Sequence, residues 1–424
     1  MVTNRAAPID HRRRGPPEKV ATAILWVAAV DVVVGLAYVR YHAASRAPVG
    51  VDFTYFLDAA RNVAAGRSPY IGDKNYVYPP PMALLLAPFT HVNLEHLWKA
   101  WTALVVAAPI VGAAAFVFTR PGRPARWLRP VEFTVCGFTV LYAHYWPVGQ
   151  NLHLGQSDTI VFAALMLSAL AASRYRPQAR GALIGVAGLV KVWPAATGLA
   201  VFQRGVQRRR QALLPLVATL LLAPLSALLF GWSGLVGFFK NVFDARQQPQ
   251  LVSDSVWSAP TLLFSHSGLA RPVLVSAALH LVVEASLAAW VLALLVTALQ
   301  TPGVPTLCTW NVTFCIILLL PVSHRQYAIY VLPLLWWWAT GALRPGPIDW
   351  REWTVIAVLA LWWLNQTIAW PYNGSSPAIS SIRYCIPFAA DLIACTVSVI
   401  GARTVSRTTR PAGLSGPSRL GELL

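Results

Sequence analysis

Acidic side chains are scarce in this chain: 16 Asp and Glu stand against 34 Lys and Arg, and charged residues of all kinds make up 12% of its 424 positions. Soluble domains carry about 25%. Beside 56% hydrophobic residues, that deficit excludes an ordinary soluble enzyme. Cysteine is sparse as well. Cys136, Cys308, Cys315, Cys385 and Cys395 lie in or beside apolar runs and lack metal-ligand spacing. They read as small core residues, which excludes a disulfide framework and a zinc centre. No internal repeat is visible, which counts against the paired halves of many transporters.

What the chain has instead is apolar length. Runs of about 17–25 residues recur, each long enough as a helix to cross a hydrocarbon core of about 30 Å. They do not alternate as barrel strands do. The expected class is an all-α polytopic membrane protein of about 10–12 transmembrane helices. The formal charge of +18 then needs no nucleic-acid partner. Most Lys and Arg fall in 1–19, 120–129, 174–180, 204–210, 344–351 and 403–419, and such excess marks cytoplasmic segments.

That alternation sets a topology. A basic tail, 1–19, precedes a membrane domain over 20–402 and a second basic tail, 403–424, with both tails cytoplasmic. Spans are expected at about 20–39, 98–118, 131–148, 157–173, 211–230, 272–299, 305–321, 326–343, 352–370 and 383–401. Two long segments, about 41–96 and 232–270, face the exterior. The run 181–203 differs: a single crossing would carry Arg208, Arg209 and Arg210 outside and invert all that follows. Two half-helices meeting at Lys191-Val192-Trp193-Pro194 avoid this, with Pro194 breaking the helix at the tip. A re-entrant pair is the expected form.

In the first outer segment, Tyr55, Phe56, Ala59, Ala60 and Val63 share a face at helical spacing, as in an amphipathic helix lying at a membrane surface. Asp52 stands at its start, where two roles fit: an N-cap, or a reactive carboxylate. Asp58, about 240° further round, reads as an exposed helix-face residue. In Tyr76-Val77-Tyr78-Pro79-Pro80-Pro81 the prolines preclude a regular helix at that point, so the chain is expected to enter the membrane edge and re-emerge. Its tyrosines suit an interface belt, the commoner use, or a platform for sugar rings. Lys191 in an apolar run lines a polar cavity, holds an anion at the half-helix tip, or snorkels to an interface. His324 and Arg325 form an outer turn beside the same expected cavity, although a solvated turn is the plainer reading of such a histidine. Gln156, Asp158, Asp254, Ser255 and Trp257 are weaker outer-loop candidates. Asp31, Glu284 and Asp391 lie within spans, as bundle pairs or as pathway lining.

These pieces follow one another in a definite order. Asp52-Phe53 with Tyr55 and Ala59-Ala60 comes first, then Gly66-Arg67-Ser68-Pro69-Tyr70 and Tyr78-Pro79-Pro80 with its apolar run to Pro88. Gly155-Gln156, Lys191-Val192-Trp193-Pro194 and the His324 turn follow. Over roughly residues 50–340 the series resembles the polyprenyl-phosphate-sugar-dependent glycosyltransferases of family 87, membrane enzymes of the GT-C fold. Pro81 departs from that family's pattern, in which a large apolar residue more often follows Tyr-Pro-Pro.

The resemblance implies an inverting mannosyltransferase that takes mannose from polyprenyl-phosphate-mannose on the outer face. It would extend a lipid-anchored mannan or phosphatidylinositol mannoside through α-1,2 linkages. Its partners are then the lipid-phosphate sugar donor, the lipid-anchored glycan acceptor and membrane lipids. The resemblance makes Asp52 the base that takes the acceptor's proton, with Lys191, His324 and Arg325 binding the donor phosphate. Tyr55, Tyr78, Gln156, Trp193, Asp254 and Trp257 are the expected substrate contacts. No Asp-X-Asp ligand pair occurs, so neither a metal nor another cofactor is expected. Arabinofuranose is the alternative sugar, and a lipid-linked-sugar transporter or flippase the alternative class.

Overall fold

Helices make up every regular element in the computed structural model, which describes residues 16–72, 76–119, 128–206, 208–244, 253–266, 272–302, 305–341, 349–367 and 377–408. The basic stretches 1–15, 120–127, 342–348 and 409–424 lie outside the described residues. The chain opens with α1 (Pro16–Ser45) and the shorter α2 (Val51–Ala64) and α3 (Pro80–Leu86). α4 (Leu94–Phe118) leads to α5 (Leu128–Leu141), α6 (Trp146–Leu154) and α7 (Asp158–Ser173). α8 (Pro177–Val190) is followed by a 3-10 helix, Trp193–Phe202, then by α9 (Arg209–Leu220) and α10 (Leu222–Leu228). α11 (Gly231–Asp244) and α12 (Ser258–Phe264) precede α13 (Ala277–Gln300) and α14 (Pro305–Leu319). A second 3-10 helix, Arg325–Val331, runs into α15 (Leu332–Gly341), before α16 (Trp350–Thr367) and α17 (Pro377–Thr408).

Among the described residues, five segments are long and apolar enough to cross a membrane: Lys19–Ser45, Leu94–Phe118, Arg209–Leu228, Ala277–Gln300 and Cys385–Thr404. The chain is a multi-pass membrane protein. Its other apolar runs form shorter or broken helices, because Pro147 and the turn at 142–145 divide α5 from α6, and the 3-10 helix Arg325–Val331 precedes α15. Lipid-facing exposure is heaviest on α1, where Ile24, Val27 and Val39 lie open, as suits a helix whose neighbours are acyl chains.

Residues 181–203 take the re-entrant form. α8 runs to Val190, the backbone is extended at Lys191, and the 3-10 helix returns beside α8. Pro194 sits in the first turn of that return, where no intrahelical N–H is needed. At about 1.5 Å per residue for α8 and about 2.0 Å for the 3-10 helix, both legs measure about 20 Å. Neither crosses alone.

Two local expectations are corrected. Pro80 and Pro81 begin α3 instead of barring a helix, because first-turn N–H groups have no partner anyway and proline's fixed φ suits the position. The buried face of α2 consists of Phe53, Phe56, Leu57, Ala59 and Ala60, whereas Tyr55 and Val63 are half-buried. Phe53 stacks on Trp101 and packs at a tilt against Trp98, both of α4, and that contact rotates the stripe.

The bundle has two chemically distinct ends. α7 starts at the carboxylate of Asp158 and, about 24 Å later, reaches Ser173 and the turn of Arg174 and Arg176. Arg174 there donates to the Phe118 carbonyl at 3.4 Å. Gln203 donates to Thr301 at 2.9 Å, and the Arg204 amide to Leu299 at 2.7 Å, so other arginine-bearing turns close on the ends of their neighbours.

Candidate active site

Two glycines bring the first residues of α2 onto the end of α6. Gly50 caps α2, and a Cβ there would lie 2.3 Å from the Leu154 carbonyl carbon. Gly155 ends α6 in the left-handed region (φ 72°), where a Cβ would meet that of Phe53 at 2.7 Å. Trp101 donates to the Gly155 carbonyl at 3.0 Å and fixes the junction. Gly155→Ala therefore carries both a strained φ and an overpacked contact, a loss of about 1–3 kcal/mol. Gly66, at φ 69° with open space around its Cβ position, is the control. Thermal unfolding in detergent should show Gly155→Ala falling well below Gly66→Ala.

The junction sets Asp52 beside Gln156. The N-cap reading of Asp52 does not hold: Gly50 occupies that position, no side chain caps α2, and Asp52 lies in its first turn. Its Oδ2 accepts instead from Gln156 Nε2. Gln156 Oε1 accepts from the Tyr78 hydroxyl at 2.9 Å and from Lys191 Nζ at 3.1 Å. Lys191 Nζ also reaches both oxygens of Asp158 at 2.8 Å, and lies 4.6 Å from the centre of the Tyr327 ring. Asp158 is fully buried, accepts from the Tyr330 hydroxyl at 2.9 Å, and is the anion that a lysine in an apolar run requires. Lys191 does not snorkel. It is 7% exposed.

The 3-10 helix Arg325–Val331 supplies the opposite wall. With about three residues per turn, positions three apart eclipse one another. His324, Tyr327 and Tyr330 accordingly line one edge, with His324 set edge-on to Tyr327 at 5.6 Å and Tyr330 edge-on to Trp193 at 4.8 Å. Tyr327 and Tyr330 were not anticipated from the sequence, because a spacing of three from His324 puts all three on one edge only in a 3-10 helix.

The ionisable groups are shifted in ways that matter. Burial lifts the Asp52 carboxyl to about 6, reinforced by Asp158 and opposed by Lys191 and the Gln156 hydrogen bond. Asp52 is half-buried, and its second oxygen takes no hydrogen bond from the described residues. His324 is held down to about 4 by burial and by Lys191, so its imidazole is neutral at pH 7. Burial raises the Tyr78 hydroxyl well above its usual range.

Other expected site residues fall into a second group. Arg325 points away from Lys191, donating to Gln366 Oε1 at 3.1 Å and to the Asn365 carbonyl at 2.9 Å, with its guanidinium 5.3 Å from the Trp146 ring centre. Gln366 in turn donates to Asp391 at 3.4 Å, which also accepts from Trp362 at 2.5 Å. Asp254 is tied by its backbone amide to the Ser323 carbonyl at 2.7 Å, and burial raises its carboxyl to about 7 against the pull of Arg325. Trp257 donates to the Leu319 carbonyl at 2.9 Å. These residues brace the turn that carries His324. Tyr55 is half-buried on α2, outside the Gln156 hydrogen bonds. Of the span carboxylates, Asp31 is exposed, Glu284 lies 3.4 Å from His280 one turn back, and Asp391 is inside the bundle. Asp58 is exposed and paired with Arg61 at 2.8 Å. Among the described residues, no cluster of three or more His, Cys, Asp or Glu is arranged to hold a metal ion.

Comparison with known proteins bears on this arrangement. The profile of Glycosyltransferase family 87 matches residues 76–321. The chain is 26% identical over 239 residues to a polyprenol-phosphate-mannose-dependent alpha-(1-2)-phosphatidylinositol mannoside mannosyltransferase of Mycolicibacterium smegmatis, covering 52% of this chain and 53% of that protein. That match spans only about half the relative's length. The protein of the same description from Mycobacterium tuberculosis is 23% identical over 364 residues, covering 81% of this chain and 80% of the relative. A GPI mannosyltransferase 1 from Aspergillus fumigatus is 29% identical over 193 residues, covering 44% of this chain and 42% of its own.

Proposed function

The chain belongs to glycosyltransferase family 87, and from that premise we propose that it transfers mannose from polyprenyl-phosphate-mannose to a lipid-anchored mannosylated acceptor. The linkage is α-1,2, formed with inversion, at the outer membrane face. The two mycobacterial relatives supply the donor and acceptor class. The observation that carries the reading is Asp52, a half-buried carboxylate held through one oxygen by the Gln156 amide that also binds the fixed Lys191 ammonium. Neutral His324 lies edge-on to the Tyr327 ring which that ammonium faces.

The acceptor hydroxyl is too weak an acid to react unaided. As its oxygen attacks the anomeric carbon, its proton passes to the free oxygen of Asp52. The bond from that carbon to the phosphate oxygen breaks, and the polyprenyl phosphate leaves with the electron pair. Its negative charge grows during departure, where fixed donors act most strongly. His324 donates a hydrogen bond, and the nearby phosphate raises its pKa towards protonation. Lys191, clamped by Asp158, contributes a positive charge that needs no reorganisation. Half-buried Trp193 offers a ring for the sugar face, buried Tyr78 holds the Gln156 oxygen through its hydroxyl, and Arg325 acts from behind the His324 turn. The arginine-bearing turns at the far end of α7 support an outward-facing site.

The test is to incubate the purified protein with radiolabelled polyprenyl-phosphate-mannose and a mannosylated lipid acceptor across a pH series. Transfer is expected, with kcat/KM falling tenfold per unit as pH drops below about 6, because the base works only when deprotonated and its folded pKa lies there. Uptake of the labelled lipid into vesicles without covalent transfer would establish a flippase instead. A profile flat through pH 6 would remove Asp52 from the base role.

A further inference from the structure

Gln156 lies between two groups that admit only one bridging chemistry. The Lys191 ammonium can only donate hydrogen bonds, and an ionised Asp52 can only accept them. A side-chain amide satisfies both, with its oxygen towards the lysine and its nitrogen towards the carboxylate. The reverse orientation would set donor against donor and acceptor against acceptor. Tyr78 donates to the same amide oxygen and adds a second lock. The backbone is fixed too: the Gln156 amide donates to the Asn151 carbonyl at 2.9 Å, just beyond the left-handed Gly155. At 6% exposed, Gln156 presents little surface to a sugar.

We propose that Gln156 is a positioning residue for the base: it holds one oxygen of Asp52, leaves the other free for the acceptor's proton, and does not contact substrate. The inference rests on the reading of Asp52 as base. A fixed line runs from fully buried Asp158 through Lys191 and Gln156 to half-buried Asp52. The same protein holds a second amide bridge of this kind, Arg325 to Gln366 to Asp391. There the carboxylate is 4% exposed and also carries the Trp362 indole, so it is closed to any substrate. Only the first bridge ends on an accessible carboxylate.

Charged and titratable groups facing Asp52 are Lys191 and Asp158 behind Gln156, Tyr78 from the segment before α3, and Tyr327 from the 3-10 wall. On α2 itself, Asp58 and Arg61 pair with each other on the exposed face. Gln156→Glu sets a second carboxylate directly against Asp52, and its protonation midpoint should rise by about one unit or more, a loss of about tenfold in kcat/KM on the acid side. Gln156→Met fills the space without hydrogen bonds and should raise the midpoint less. Two readouts are followed against pH in each full-length variant: kcat/KM for transfer, and carbodiimide labelling of Asp52 by mass spectrometry, which follows its protonated form without catalysis.

Both midpoints rising together is the expected result. A labelling midpoint that rises while the activity limb stays put would leave Gln156 positioning Asp52 but remove Asp52 as base. An unmoved labelling midpoint, with raised KM for donor or acceptor, would overturn the proposal and make Gln156 a substrate contact. If Gln156→Glu does not fold, Gln156→Met is judged by the same two readouts.

Discussion

Asp52→Asn should lower kcat/KM at pH 7 by about 10²- to 10⁴-fold, the range that a general base contributes, while the protein unfolds at or above the wild-type temperature. The substitution changes the chemistry and almost nothing else. Asparagine has the shape of aspartate, and its carbonyl oxygen can still accept from Gln156 Nε2. What it cannot do is take a proton from a hydroxyl. The stability expectation follows from linkage. The folded carboxyl titrates near 6 against 3.8 for the unconstrained group, so between those values the folded state binds more protons than the unfolded one. Stability from this group therefore falls as pH rises through that window, and above about 6 the cost of the buried charge is complete. Asparagine carries no such charge. A large loss of rate with no loss of unfolding temperature separates chemistry from folding, and a rate near wild type would move the base elsewhere.

Other nearby carboxylates are poorly suited to replace it. Asp158 is fully buried and engaged by Lys191 and Tyr330. Asp58 is open to solvent and paired with Arg61, away from the lysine. Asp52 alone combines partial burial, a free oxygen and contact with the Lys191 group among the described residues of this site.

Much of this was legible in the residues because burial and charge leave strong marks. Long apolar runs require helices in lipid, and α4, α13 and the α9–α10 pair fall where those runs lie. Flanking arginines ruled out a simple crossing at 181–203, and the chain does turn at Lys191. Finer features depend on tertiary choices. An apolar run near His324 reads equally well as α or 3-10 helix, yet only the 3-10 form eclipses His324, Tyr327 and Tyr330. Arg325 beside His324 suggested a shared anion site, but neighbouring residues point in different directions, and α16 supplied its acceptors. A lysine in an apolar run announces that it needs an anion. Naming Asp158 as that anion required knowing that α7 and α8 lie side by side.

Lys191→Met should cost about 3–5 kcal/mol of stability and abolish transfer, and Asp158→Leu should cost about as much. Each change strands the other charge in a site that is 7% exposed at the lysine and 0% at the aspartate. Removing both together strands neither, so Lys191→Met with Asp158→Leu should recover most of the loss. Recovery stops short of complete, because Gln156 Oε1 loses a donor, worth about 1 kcal/mol. The Tyr330 hydroxyl keeps the backbone carbonyl of residue 158 as its acceptor at 3.0 Å. Thermal unfolding of the four proteins in one detergent gives the coupling directly, and additive losses would mean that the pair does not interact as its 2.8 Å contacts require. Activity then divides the two roles of the lysine. A refolded double variant has regained its core but has no fixed ammonium for the leaving phosphate, and only Tyr78 still holds the Gln156 oxygen. It should remain inactive despite its stability. Transfer at the wild-type rate from that protein would reduce Lys191 to a packing element and leave His324 as the principal donor to the phosphate.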